Sequence, residues 1–265
     1  MTLRPVSPRA PLPLGDRDAR YTGAPDRDAL EEGIDEQVDR IGALQRMLYA
    51  DGGHAMLIVL QGRDASGKDG TIRKVFTGVD PQGIEVTSYG VPSEIEQRHD
   101  FLWRIHHRVP PRGIIGVFNR SHYEDVLVPR VHGDITKAVL ERRFAQINDF
   151  ERMLAANGVS ILKFFLHISR AEQKKRLEKR LSDPEKNWKF RAGDLSDRAK
   201  WGAYSAAYRD AIRRCSTTWA PWYVVPADDK KVRTLLIART IADALERLKL
   251  RWPKADPAML ETDID

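Results

Sequence analysis

A short apolar run, Ala55-Met-Leu-Ile-Val-Leu60, passes through one residue into Gly62-Arg-Asp-Ala-Ser-Gly67-Lys68. A continuous apolar run of this length reads as a strand covered on both faces, and the Gly-x4-Gly-Lys spacing is that of a Walker A loop. Composition alone would produce such a string in roughly one chain in ten of this size, so the flanks decide. The strand precedes it and a helical pattern over 69–76 follows, whose N-terminus adds the positive end of its dipole to an anion site. The expected phosphate-binding turn is Gly62, Ala65, Ser66, Gly67, Lys68, Asp69 and Gly70. Glycines there adopt backbone angles that side chains resist, and they admit phosphate to the main chain.

Further apolar runs at 84–89, 113–118, 160–168 and 222–225 read as strands. Apolar residues recur at helical spacing over 28–50, 134–157, 171–181, 197–215 and 232–250. Alternation of this kind predicts an α/β fold, a parallel sheet with helices on both faces in a three-layer sandwich. The length of 265 residues suits one domain with appendages. The division expected is an extended arm at 1–27, where five prolines fall in the first 25 residues, a single domain at 28–255, and a tail at 256–265.

The net charge is only +6, but between 163 and 191 ten basic residues face four acidic ones. Ser169 and Glu172 form a capping-box pattern that opens a helix, and Pro184 prevents its continuation. On a helical wheel Lys175, Arg176, Lys179 and Arg180 share one arc, and Lys186 and Lys189 prolong it. The region 169–195 therefore reads as a basic lid for a polyanion. A line of cations can hold a chain of phosphates without reading any sequence, so no specific nucleic acid is implied. No apolar stretch nears the roughly 20 residues that span a bilayer, which predicts no membrane partner. The lone Cys215 and the lack of a secretory pattern predict the cytoplasm.

Two carboxylates modify the loop's chemistry. Asp69 stands where the usual motif has the hydroxyl that binds Mg2+. Asp64 lies inside the loop, where phosphate would repel it unless a divalent cation intervened or it engaged the incoming nucleophile. Both readings make Asp64 catalytic, second only to Lys68. After the strand at 113–118, Asn119-Arg-Ser-His-Tyr-Glu-Asp125 places polar residues at a strand's carboxyl end, where open α/β sheets bind ligands. His99, His106, His107, His122 and His132 have no zinc-site spacing. The six tryptophans are read chiefly as core or groove.

These strings, with His99-Asp-Phe-Leu-Trp-Arg104, Asp183-Pro-Glu-Lys-Asn-Trp-Lys189 and Ala220-Pro-Trp-Tyr-Val-Val-Pro226, closely resemble the polyphosphate kinase 2 family over about 28–250. The resemblance implies a thymidylate-kinase-like P-loop fold. It also implies reversible transfer of phosphate from inorganic polyphosphate to a nucleotide with Mg2+, Mn2+ being a possible substitute. Many members that use nucleoside diphosphates have aspartate at the position of Asn119. The version here resembles the branch accepting both AMP and ADP, giving ADP and ATP. Arg120 and Arg180 match family arginines that contact phosphate, Arg180 as an internal arginine finger. Asp100 and Arg104 match a string that positions the acceptor nucleotide, with Glu124 as a further nucleotide contact. Asp64, Asp69 and Glu124, with Asp125 as an alternative, are the metal ligands implied, and a homodimer or homotetramer is the expected assembly. Two rivals remain at this stage: an ATP-dependent nucleoside monophosphate kinase, whose triphosphate needs fewer cations than 163–191 supplies, and a noncatalytic polyanion binder with a P-loop.

Overall fold

Every residue of the first strand is buried, and the fold is built around it. The structure, a computed structural model, describes residues 1–257, so the expected tail lies outside the described residues apart from its first two positions. Five parallel strands, β1 (Ala55–Gln61), β2 (Ile84–Ser88), β3 (Ile115–Asn119), β4 (Val159–His167) and β5 (Trp222–Pro226), form one sheet in the order β2-β3-β1-β4-β5. The helices are α1 (Arg27–Asp51), α2 (Lys68–Val75), the short α3 (Glu94–Gln97) and α4 (Trp103–His106), α5 (Glu124–His132), α6 (Lys137–Ala156), α7 (Arg170–Ser182), α8 (Ala192–Ala199), α9 (Trp201–Cys215) and α10 (Lys230–Arg247).

The strand period of two assigns β1 to two cores at once. Met56, Ile58 and Leu60 face Leu30, Ile34, Val38 and Ile41 of α1 and the buried stripe of α10. Ala55, Leu57 and Val59 face Phe144, Ile147 and Leu154 of α6 and Tyr208 and Ile212 of α9. Each of the larger side chains contributes about 1.5–3 kcal/mol on burial. This is the expected parallel sheet with helices on both faces.

The local signals act where they fall. Asp26 accepts from the amides of Asp28 and Ala29 at the start of α1, and Gly52, at φ +62°, ends that helix in the left-handed region. Ser169 accepts from Glu172 N (3.2 Å), but the reciprocal half of the expected capping box is replaced. Ser169 N donates instead to Asp228 Oδ1 (2.8 Å), and the Glu172 carboxylate turns to Arg176. The single helix expected over 197–215 breaks at Lys200 (ψ 26°), and Trp201 at the start of α9 packs against Arg63. The N-terminal arm lies along β5, where Val6 N donates to Trp222 O (2.8 Å) and Ser216 Oγ to Val6 O (2.6 Å).

Candidate active site

β1 is flanked by β3 and β4, so its carboxyl end opens where the sheet's strand order reverses, the usual ligand position in such sheets. The chain leaves β1 through Gly62, where a Cβ would stand 2.9 Å from the Leu166 carbonyl. It enters α2 through Gly67, at φ +100°, where a Cβ would lie 2.1 Å from Arg233 Nη1. Between them Ala65 takes the left-handed conformation (φ +61°), an uncommon state for a residue with a side chain. Lys68, the first residue of α2, is buried and folds back over the loop, donating to Gly62 O (2.7 Å) and Arg63 O (3.3 Å). Burial, reinforced by the nearby Arg120 charge, lowers its pKa to about 8 against the opposing pull of Asp64, Glu124 and Asp69.

The turn from β3 to α5 faces this loop. Arg120 has φ +64°, and its amide donates to Leu60 O (3.0 Å), which fixes the turn against β1. Its guanidinium reaches Asp64 (2.7 Å) on one side and Glu124 (3.4 Å) on the other. Gln61 turns its amide nitrogen to Glu124 (2.9 Å). Burial pushes the Glu124 carboxyl above the ordinary range despite the Arg120 and Lys68 charges. One residue earlier, Asn119 Nδ2 donates to Asp69 (2.9 Å), and Lys189 of the lid approaches the other Asp69 oxygen (3.3 Å). Burial works to raise the Asp69 carboxyl, but these two donors outweigh it and the net shift is downward.

Beside the loop is a small pocket walled by Arg63, Asp64, Arg120, Trp201, Tyr204 and Tyr208. The Arg63 guanidinium stacks on the Trp201 ring at 3.8 Å and donates to Ser205 Oγ (2.6 Å), so an exposed-looking loop arginine is held on an aromatic face. The aromatic wall was not singled out from the sequence. Its spacing on α9 is that of any amphipathic helix, and only the fold turns it toward the glycine loop.

The lid is where the structure departs from expectation. The arc of Lys175, Arg176, Lys179 and Arg180 divides: Lys175 and Lys179 are exposed, whereas Arg176 and Arg180 turn inward with Leu177. The Arg176 guanidinium is engaged by backbone carbonyls, and Arg180 pairs with Asp194 (3.2 Å). Lys186 pairs with Asp183, and the side chain of Lys189 with Asp69. Lys163, counted with this basic segment, is fully buried in β4 and ion-paired with Glu151, because a strand residue of the inner sheet cannot reach the surface. Trp188 is 72% exposed and Trp222 only 1%, so the tryptophans do not share one role.

Asp100 caps its own turn, accepting from Leu102 N (2.9 Å). Arg104 is buried and spans Gly90 O (3.1 Å) and Asp125 (3.5 Å), so it stands in an internal ion pair with the carboxylate expected as an alternative metal ligand. Asp64, Asp69 and Glu124 do not converge either. Among the described residues no three His, Cys, Asp or Glu side chains gather as a metal-holding group. Asp69 is turned to Asn119, while Asp64 and Glu124 share Arg120.

The family model described as "Polyphosphate kinase 2 (PPK2)" matches residues 25–252. An AMP/ADP-polyphosphate phosphotransferase of Meiothermus ruber is 52% identical over 83% of this chain and 82% of its own length. An ADP-polyphosphate phosphotransferase of Rhodopseudomonas palustris is 47% identical over 84% of this chain and 81% of its own. The crystal structure of polyphosphate kinase 2 from Arthrobacter aurescens TC1 superposes with a TM-score of 0.85 at 42% identity, covering 98% of this chain and 88% of that one. With the glycine loop, Lys68 and the Asp64–Arg120 pair assembled at the carboxyl end of the sheet, these likenesses carry the conclusion that the chain belongs to the polyphosphate kinase 2 family.

Proposed function

We propose that this protein is a polyphosphate-dependent nucleotide kinase that moves phosphate reversibly between inorganic polyphosphate and AMP or ADP. The observation that carries the reading is the buried Lys68 folded over a glycine loop, with Asp64 and Arg120 paired beside it, in a chain half identical to an AMP/ADP-polyphosphate phosphotransferase.

In-line phosphoryl transfer needs positioning and charge stabilisation more than covalent participation. Lys68 and the loop amides hold one phosphate at the start of α2. Arg120, anchored between two carboxylates, offers planar donors to the moving group, and the cavity walled by Trp201 and Tyr208 sets the acceptor beside it. Asp64 orients the acceptor. Asn119 presents a neutral amide whose Oδ1 is buried without a partner, in keeping with a site that takes both acceptors. Arg180 and Lys189 bring positive charge from the lid.

Asp64 and Glu124, which share Arg120 beside the loop, carry carboxylate oxygens of the kind Mg2+ or Mn2+ takes. Such an ion, when bound, neutralises charge on the phosphate oxygens, and these two residues would hold it. No described helix is long and apolar enough to cross a membrane. The proposal includes the cytoplasm, supported by the lone cysteine of the sequence, and a homodimer or homotetramer, supported by the family resemblance.

Product analysis with Mg2+, long-chain polyphosphate, and AMP or ADP offered separately tests the reading. ADP from AMP and ATP from ADP are expected. Product from ADP alone refutes the role given to Asn119, and no product above a Lys68→Ala control overturns the activity.

A further inference from the structure

Helical position places Arg176 among residues facing a polyanion, yet its guanidinium is already spoken for. Nε donates to Glu172 (2.8 Å), Nη1 to the carbonyls of Ala65 (3.1 Å) and Ser66 (3.2 Å), and Nη2 to those of Ala227 (2.8 Å) and Asp228 (2.7 Å). A guanidinium has five N–H donors, and five acceptors surround this one. Arg233 of α10, 3% exposed, donates to the same Ser66 carbonyl (3.2 Å) from another element and fills the space beneath Gly67. Burial, together with the Arg176 charge, brings the Arg233 pKa down to about 10, so Arg233 stays charged at neutral pH.

In a planar trans peptide the C=O and the following N–H point opposite ways. The Ser66 carbonyl is drawn to both arginines, so the Gly67 N–H is turned away from them, to the side where the loop meets phosphate. Gln173, one turn before Arg176, donates to Asp64 O (3.0 Å), so α7 grips the loop at a second point. Arg180, one turn later, bonds only within the lid, to Asp194 and the Lys189 carbonyl, among the contacts the structure gives it.

We propose that Arg176 and Arg233 are positioning residues for phosphate binding: a guanidinium pair beneath the loop that fixes the peptides joining residues 65 to 67. The first half of α7 is thus part of the loop's foundation, and the lid proper begins between Arg176 and Arg180. The proposal rests on reading the loop as a phosphate site.

The test is calorimetric titration of the full chain with inorganic tripolyphosphate at several salt concentrations, for wild type, Arg176→Lys and Arg176→Met. A clamp predicts that both variants lose about tenfold in affinity, since lysine has three donors at one point. The slope of log K against log salt stays at its wild-type value, because no phosphate contact is removed. A shallower slope in Arg176→Met, with affinity retained in Arg176→Lys, identifies Arg176 as a direct phosphate contact and overturns the proposal. Unchanged affinity in both does so as well. If Arg176→Met does not fold, Glu172→Gln decides: a twofold or greater loss with a wild-type melting temperature supports the clamp, and no loss overturns it. Wild type that fails to bind tripolyphosphate at all sinks the phosphate-loop reading itself, an outcome distinct from the others.

Discussion

Asp64 and Arg120 meet at 2.7 Å across the mouth of the glycine loop, each delivered by a different strand-to-helix turn. The carboxylate holds the guanidinium in place and at the same time offsets part of the positive charge that attracts phosphate. Asp64→Asn is therefore expected to bind tripolyphosphate as well as wild type or better, while kcat falls by about 10²–10³, the size of effect seen when a charge-positioning group is lost. Steady-state kinetics beside calorimetric binding checks it, and wild-type turnover in the variant would remove Asp64 from the mechanism.

Arg120 also stores backbone strain, with φ +64° on a residue that carries a side chain. Arg120→Ala and Arg120→Gly both remove the guanidinium and leave Asp64 and Glu124 without it, so both should lose turnover to a similar degree. They should differ in stability. Glycine relieves a left-handed strain of about 1–2 kcal/mol that alanine keeps, so denaturant unfolding should find Arg120→Gly the more stable by about 1 kcal/mol. Equal midpoints would show that the turn is not strained.

Lys68 has its pKa lowered to about 8 by burial and by the Arg120 charge. A bound phosphate favours the charged form, so affinity for the phosphate donor is full below about 8 and falls as pH rises through it. The KM for polyphosphate should climb between pH 7 and pH 9.5; a flat profile would mean that the loop phosphate does not depend on this ammonium. Conformational stability runs the other way. Between about 8 and the ordinary lysine range the unfolded chain holds a proton that the folded chain has released, so this group makes stability rise with pH in that window.

The buried Lys163 pairs with Glu151 and donates to Tyr123 Oη (2.9 Å) and to the Cys215 carbonyl (2.7 Å). Removing one partner strands a charge in the core, so Glu151→Gln or Lys163→Met is expected to cost about 3–5 kcal/mol, and the double change Glu151→Leu with Lys163→Met less than either. Thermal melts measure this. The salt dependence of polyphosphate binding should be the same in every variant that folds, and a change in it would return Lys163 to the binding surface.

Much of the architecture was legible in local pattern. The apolar run at 55–60, the glycine spacing through 62–68 and the helical period of 28–50 each act over a few residues, and β1, the loop and α1 form where those signals fall. Asp64, Lys68 and Arg120 were named from their place in motifs, and the fold pairs Asp64 with Arg120 and sets Lys68 near enough to feel both charges. The break at Lys200 and the position of α5 were not legible, because the first depends on Trp201 packing against Arg63 and the second carries Pro129 within the helix.

By itself the sequence determined the parallel α/β fold, the glycine turn after β1 and the family. These rest on residue type and short spacing: which backbone angles a glycine admits, which side chains leave water, and where a helix is capped. Only the tertiary structure decided what the charges do. Lys163, Arg104 and Arg176 carry the same unit of positive charge as Lys175, but burial makes each of the three seek an internal acceptor. Glu151 lies 12 residues from Lys163, Asp125 lies 21 from Arg104, and the Ala65 carbonyl lies 111 from Arg176. A pairing at that separation is set by which elements pack together, and no pattern along the chain records it.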